Sequence, residues 1–566
     1  MFWGEKMLSN KGILSNRKKS ILYILCGLSV ILIAYLPNFQ KGIYTGFDLS
    51  FHLNRIDSLA EALRNGIFPV KIHATRAFGH GYGVGFFYCN FFLYVPAILI
   101  NLGIDFLVAY KIFLFLAYIG IYFSMFYVVD KLTNNREIAF WVASFYLFSS
   151  KVMAAVYITG AAGEITAYIF MPLAIAGIYI YLLKKEYPYM LMIGFAGLIL
   201  SHTISTFLAL VVCAAIVILH CNRLLRSKTK ILHLILAVVC VAGVTVGFWL
   251  PMFEQMMAQD LKVNYPWTVS QNHVETLASI VNGDYKIGKF VSVIFSLDML
   301  GILGMIIAKK IEVIKKVSVF LIIAIVMTWL TTCGYFWHIM NDFFGIRFLQ
   351  FPHRLFSCVT VLVLLAFAII YKEVEIKNVV KNIFAFIILA YGIFSSYETY
   401  SGFYLNVGYE EVNMVVEGKY PGLGGGEEWL PAETQLEELT DCTKVYDNEG
   451  NVITGEKSNG HNTFTFVADM SKEYYDVPCL WYKGFAAEDS QGEHCKIGKD
   501  PIRGMLRVYV PEQKEGEALV TVYYKGTTAQ KVAYIGNMVG VIMMGAYLVL
   551  CKKDIIKIKD DKYSLK

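Results

Sequence analysis

The chemistry-bearing residues of this chain lie in a few polar stretches between long apolar runs. The most informative is Gly46-Phe47-Asp48-Leu49-Ser50-Phe51-His52-Leu53-Asn54-Arg55-Ile56. On a helix, Leu49, Leu53, Ile56, Ala60 and Leu63 form one apolar stripe. Asp48, His52 and Arg55, spaced i, i+4 and i+7, then share the polar side, with His52 and Arg55 as candidate substrate contacts. A carboxylate at a membrane surface, beside a potential cation, suits proton abstraction or metal binding. An aspartate there also suits the helix N-cap, and both roles can hold together.

Glu164 is the second acidic candidate, in Gly160-Ala161-Ala162-Gly163-Glu164. It is expected in an external loop, 156–164, at a membrane boundary, where ionisable groups are costly and often functional. A helix-start carboxylate favoured by the dipole is the plainer alternative. A third cluster is Arg347, Gln350, His353 and Arg354. Two arginines beside aromatics suit a lipid-linked phosphate, because guanidinium binds phosphate oxygens in pairs. Anchoring to lipid headgroups is the alternative. His202, in a turn between two short helices, suits either a cavity or a structural role. The run Phe78-Gly79-His80-Gly81-Tyr82-Gly83-Val84-Gly85 lacks the lysine and hydroxyl residue of a nucleotide loop. It suits close backbone packing over a surface helix or a substrate, with His80 and Tyr82 as candidate substrate contacts.

These residues must be held by a membrane protein. Hydrophobic residues make up 57% of the 566 and charged ones 17%, against about 45–50% and about 25% in soluble domains. Apolar runs of roughly 20 residues recur, which is the length that crosses a bilayer as helix. Continuous runs, not alternation, argue against a membrane barrel. The net charge of +6 collects beside the apolar runs, as the positive-inside rule expects, and does not point to nucleic acid.

About twelve spans are predicted: 21–37, 106–129, 138–155, 165–183, a short pair within 189–220, 231–250, one ending at Lys309-Lys310, 317–334, one ending at Lys372, 379–397 and 532–550. Arg17, Lys18 and Lys19 hold the first start in the cytoplasm, so the run 20–37 reads as a retained helix. Both termini are then cytoplasmic, and the polar residues gather on the other side. The first external loop, 38–105, carries two membrane-surface helices, 49–65 and 91–102. The predicted organisation is a transmembrane region 1–397, an extracytoplasmic β-rich domain 398–531, and a last helix with a cytoplasmic tail, 532–566. Alternating stretches such as Thr463-Phe464-Thr465-Phe466-Val467 support the β domain. Tyr420-Pro421-Gly422-Leu423-Gly424-Gly425-Gly426 reads as a flexible or ligand-approaching loop. Most cysteines fall in apolar runs; Cys442, Cys479 and Cys495 share the polar segment, where three cannot all pair.

The wording Gly46-Phe47-Asp48 … His52 … Arg55-Ile56 … Gly66-Ile67-Phe68-Pro69, then Gly81-Tyr82-Gly83 … Phe87-Tyr88, resembles bacterial YfhO-like proteins. The tail agrees: Val477-Pro478 … Trp481-Tyr482-Lys483-Gly484-Phe485 and Val520-Thr521-Val522-Tyr523-Tyr524-Lys525-Gly526-Thr527. The resemblance covers most of the chain. Some relatives carry a 6-pyruvoyl-tetrahydropterin synthase-related label, but no zinc-binding histidine set supports that chemistry here. An acid just after helix one, in a large first loop, is similar to the GT-C class of membrane glycosyltransferases. The resemblance implies transfer of a sugar from a polyprenyl-phosphate donor, within the membrane lipid, to a cell-envelope polymer or glycoprotein. It implies Asp48 as the catalytic acid of the first loop and Glu164 as that of the second. A single Asp48, not an Asp-x-Asp pair, leaves a divalent cation on Asp48 and Glu164 open. A transporter or flippase of lipid-linked saccharide, with Asp298 as one intramembrane charge, and a non-catalytic envelope scaffold are the other readings.

Overall fold

The computed structural model describes residues 21–43, 46–184, 186–282, 288–404, 414–416, 422–458, 462–511, 516–553 and 555–558. Arg17, Lys18, Lys19, Tyr420 and Pro421 lie outside the described residues.

Among the described residues, ten helices are long and apolar enough to cross a membrane. Taken in chain order with the shorter helices between them, they are α1 (Ile21–Phe39), α2 (Leu49–Arg64), α3 (Phe91–Asn101), α4 (Phe106–Thr133), α5 (Arg136–Thr159), α6 (Ala162–Leu183) and α7 (Tyr189–Ile199). Then follow α8 (Thr203–Leu219), α9 (Lys228–Ala258), α10 (Lys289–Ile307), α11 (Ile311–Leu330), α12 (Pro352–Glu373), α13 (Asn378–Glu398) and α14 (Thr528–Lys552). The protein is therefore a multi-pass membrane protein. The expected twelve spans become ten plus the short pair α7 and α8, which break at Ser201-His202 as the sequence predicts.

Two expectations change. The loop expected at 156–164 is almost all helix: Ala155–Thr159 closes α5 as a wider turn, Gly160 ends it at φ +66°, and α6 begins at Ala162. Glu164 thus sits in the first turn of α6, where the helix dipole favours a carboxylate. The helix α2, expected on a membrane surface, is enclosed by protein. Its predicted stripe of Leu49, Leu53, Ile56 and Ala60 is buried, and so are His52 and Arg55 on its polar side, while Asp48 is exposed.

α6 and α12 form the centre and are buried nearly all round. α14 and α10 keep most of their apolar surface exposed, which in a bilayer faces lipid. α9 and α14 cross closely because both carry glycine there: a Cβ on Gly243 would stand 2.9 Å from the Gly540 Cα. Asp298, mid-way along α10, is fully buried, and neither carboxylate oxygen has a hydrogen-bond partner among the described residues.

Within the segment 398–531, the described strands run from Lys444 to Tyr524. Its β domain is an eight-stranded antiparallel closed barrel, β1 (Lys444–Asp447), β2 (Val452–Lys457), β3 (Thr463–Asp469), β4 (Tyr474–Leu480), β5 (Phe485–Asp489), β6 (His494–Lys499), β7 (Met505–Tyr509) and β8 (Glu517–Tyr524). The order is β1-β2-β3-β8-β5-β6-β7-β4, closing on β1. The two alternating stretches singled out in the sequence pair with each other, Phe464 opposite Val522 and Phe466 opposite Val520, all four inside. Closure leaves no free edge to recruit another strand. Cys479 and Cys495 are buried free thiols and Cys442 is a free thiol at the barrel's lower end.

The barrel sits on the first loop. The Gly-rich run 78–85 provides the seat, packing on the barrel and not on a surface helix. A Cβ on Gly83 would stand 2.5 Å from the Tyr482 ring, and one on Gly79 would stand 2.8 Å from Cys442 Sγ. Leu480 N–H donates to the His80 carbonyl at 2.9 Å, and Lys457 Nζ donates to the Ala74 carbonyl at 2.8 Å and to that of Gly79. From α9, the Gln255 side chain exchanges hydrogen bonds with the Lys483 backbone at 2.7 and 2.9 Å.

Candidate functional site

The start of α2 is zipped to the end of α5. Phe47 N–H donates to the Ile158 carbonyl at 3.2 Å and Asp48 N–H to the Thr159 carbonyl at 2.7 Å. Small residues permit this approach. A Cβ on Gly46 would lie 2.6 Å from the Thr159 carbonyl carbon, and one on Gly160 would lie 2.7 Å from Leu49 Cβ. Two loops far apart in sequence thereby bring Asp48 and Glu164 to one end of the bundle. Asp48 occupies the N-cap position of α2 but its side chain makes no capping bond. Its carboxylate has no hydrogen bond or ion pair among the described residues.

Beneath it, Arg55 organises the wall. It is buried, and Nη2 donates to the carbonyls of Tyr88 at 3.1 Å and Cys89 at 3.0 Å, and to Asn90 Oδ1 at 2.7 Å. Nη1 lies 3.3 Å from His52 Nδ1. The guanidinium carbon stands 4.3 Å from the centre of the Tyr88 ring, a cation–π contact made stronger by burial. Burial pulls its pKa down to about 10, so it stays charged. Burial and the neighbouring Arg55 and His202 hold His52 far below the usual histidine range, hence neutral. His52 and Arg55, expected to touch substrate, instead build the floor. The Tyr88 ring also packs on His52 (5.5 Å) and His202 (5.7 Å), and its hydroxyl reaches Gly163, where only a glycine leaves room. His202 comes to the site but caps α8, its Nδ1 accepting from Ser205 N–H at 3.3 Å.

The cover is the strap 422–429 ahead of the barrel. Gly424 (φ +69°) and Gly426 (φ +74°) adopt the left-handed region and press on α2: a Cβ on Gly424 would stand 2.6 Å from the Ser50 carbonyl carbon, and one on Gly426 would enter the Phe51 ring. The strap is fastened by Tyr82, whose hydroxyl donates to the Gly426 carbonyl, and by Lys262, paired with Glu427 at 3.0 Å. Trp429 stacks on Phe87 at 5.0 Å, and Tyr482 donates to its carbonyl at 3.0 Å. Between these fastenings Glu428 has no hydrogen bond or ion pair among the described residues.

Asp48 is accessible to solvent, yet protein surrounds its carboxyl on the remaining sides. Desolvation leads in raising its pKa to about 6; Glu164 and Glu428 add to the rise, and Arg354 opposes it. That value suits a group that must hold, then surrender, a proton near neutrality. Arg354 is half-buried, donating from Nη1 to the Leu349 carbonyl at 2.9 Å. Its positive charge acts on Asp48.

Other predicted residues lie elsewhere. Arg347 is an exposed partner of Asp342 at 3.8 Å, and His353 faces Glu275 at 4.0 Å, so the expected arginine pair splits. His80 is buried under the barrel with Nδ1 3.0 Å from the Ala77 carbonyl. Among the described residues no three His, Cys, Asp or Glu side chains stand close enough to share a metal ion. Tyr88 and Glu428 carry no role in the sequence reading. Tyr88 lay in the quoted first-loop wording, and Glu428 follows the glycine run already read as approaching a ligand.

The fold and site define a polytopic membrane protein whose carboxylate-bearing cleft lies between the first loop, the end of α5 and a barrel-anchored strap. No family model matches the chain. A Lactococcus lactis subsp. cremoris (strain MG1363) protein described as "Uncharacterized protein" is 25% identical over 256 residues, which is 44% of this chain and 42% of that protein. The match thus spans under half the length of either.

Proposed function

We propose that the protein is a membrane glycosyltransferase of the GT-C and YfhO-like kind, moving a sugar from a polyprenyl-phosphate donor to a cell-envelope acceptor outside the cytoplasm. The observation that carries this reading is Asp48: an accessible carboxylate without a hydrogen bond or ion pair among the described residues, with its pKa raised to about 6 within the field of Arg354. In an inverting transfer, Asp48 takes the proton of an acceptor hydroxyl as that oxygen attacks the anomeric carbon. The bond from that carbon to the lipid phosphate breaks, and the electron pair leaves on the phosphate oxygen. Arg354 stabilises this developing charge. The role assigned in the sequence to Arg347 and Arg354 together falls to Arg354. Glu164 and Glu428 orient the acceptor by accepting from its hydroxyls. Basic residues such as Lys131, Arg136, Lys184, Arg226, Lys310 and Lys372 flank the other helix ends and support a cytoplasmic placement of both termini.

Radiolabelled polyprenyl-phosphate sugars supplied to membranes with wild-type protein or Asp48→Asn test the proposal. Label passes to an acceptor only with wild type; transfer by the variant at equal expression sinks the role of Asp48.

A transporter of the same saccharide is the second reading, favoured by Asp298, a carboxylate buried in α10 with no hydrogen-bond partner among the described residues. It requires label to cross the bilayer while still on its lipid.

A further inference from the structure

The helix α12, which carries Arg354 in its first turn, ends about 28 Å further on at 1.5 Å per residue, beside a second feature. At Glu373 the bundle holds a groove of about 510 Å³ between α10, α12 and α13. Its wall is apolar, with Leu297, Leu300, Phe367, Ile370 and Phe384 facing it. Two glycines of α10 shape it. Gly301 lets the helix close on Ile370, while at Gly304 no atom lies within 4 Å of where a Cβ would stand. The flanking Ile307, Val379 and Ile383 are exposed apolar residues, so the groove is continuous with the surface that meets lipid tails.

Its rim is cationic. The adjoining stretches 309–316 and 372–381 carry seven lysines against three glutamates. Two of these lysines, Lys310 and Lys381, line the groove together with Glu373 and Glu375. Lys310 Nζ donates to the Glu373 carbonyl at 2.8 Å and to Glu375 Oε1 at 2.6 Å; Lys381 Nζ donates to the Tyr371 carbonyl at 3.1 Å. An ammonium has three N–H groups, so each keeps a donor to spare. An apolar slot open to lipid, with spare ammonium donors at one end, matches an amphiphile with a long tail and an anionic head.

We propose that this groove binds an anionic glycerophospholipid of the surrounding bilayer, one acyl chain lying over Gly304 and the headgroup phosphate meeting Lys310 and Lys381. This site is separate from the Asp48 cleft and independent of the glycosyl-transfer reading. The groove has room on the order of one acyl chain. The flexible lysines, unlike arginines, act as point charges and do not require a bidentate acceptor.

Native mass spectrometry of the full-length protein, released from membranes and re-supplied with phosphatidylglycerol, phosphatidylcholine or undecaprenyl phosphate, provides the test. Wild type is expected to retain one phosphatidylglycerol at least tenfold more than phosphatidylcholine. Gly304→Leu, which fills the slot, is expected to lose it. The double variant Lys310→Ala/Lys381→Ala, which leaves the apolar slot over Gly304 open, is expected to bind both phospholipids alike. Lys315→Ala, an exposed lysine paired with Glu312, is expected to behave as wild type. Equal retention of the two phospholipids by wild type shows only a nonselective lipid belt and overturns the proposal. So does unchanged selectivity in the double lysine variant, or displacement of phosphatidylglycerol by equimolar undecaprenyl phosphate.

Discussion

The Asp48 amide donates to the Thr159 carbonyl at 2.7 Å, tying the first loop to the end of α5. That bond, with its neighbour from Phe47 to Ile158, sets how close Asp48 comes to Glu164, four residues into the segment after Gly160. Backbone pairing of this kind is insensitive to side-chain identity but intolerant of bulk.

Gly160→Ala should therefore destabilise the protein. The new Cβ meets Leu49, and alanine at φ +66° is strained, so the expected cost is about 1–3 kcal/mol. Thermal unfolding in detergent measures it, and Gly545→Ala, on an open face of α14, is the control with no loss.

Asp48→Asn should abolish transfer with little change in melting temperature, since the side chain caps nothing. Loss of a general base typically lowers the rate about 10²–10⁴-fold. A radiochemical transfer assay, read beside the melting curve, separates chemistry from folding.

The pH profile follows from the charges around Asp48. The base must be ionised, so transfer should fall as pH drops through about 6. Glu428→Gln removes a negative neighbour, favours the carboxylate, and should shift that acid limb to lower pH. Removing the positive charge in Arg354→Gln should shift it to higher pH. Opposite shifts of the limb check the electrostatic assignment; an unmoved limb in both variants contradicts it.

Arg55→Met should be among the costliest single changes in the first loop. It leaves the Tyr88 and Cys89 carbonyls and the Asn90 side chain without their shared donor, and each buried unsatisfied group costs about 1–3 kcal/mol. Arg347→Ala removes an exposed ion pair and should cost about 0–1 kcal/mol. Paired melting curves decide between a structural and a surface arginine.

The apolar runs, the β segment and the acid after the first helix were all legible in the sequence. Length and hydropathy alone select membrane helices, because an unpaired backbone is not tolerated in lipid. Period-two alternation marks strands such as Thr463–Asp469 and Glu517–Tyr524. The i, i+4, i+7 set of Asp48, His52 and Arg55 was correctly placed on one helix. Its meaning was not legible: a helical pattern cannot show that protein covers part of its polar side, so His52 and Arg55 read as substrate contacts although they are buried supports. Glu164 likewise read as a loop acid, because the wide turn at Ala155–Thr159 that shortens the loop has no compositional mark.

By itself, then, the sequence determined that this is a multi-pass membrane protein with a β domain and that Asp48 stands at a helix start. These follow from local rules of burial and periodicity. Only the tertiary structure decided which charges share a cleft. It joined Asp48, Glu164, Arg354 and Glu428, from four separate segments, and set Arg347 against Asp342 and His353 against Glu275. Their proximity depends on glycine-mediated contacts between distant segments, and such long-range packing leaves no periodic trace in the chain.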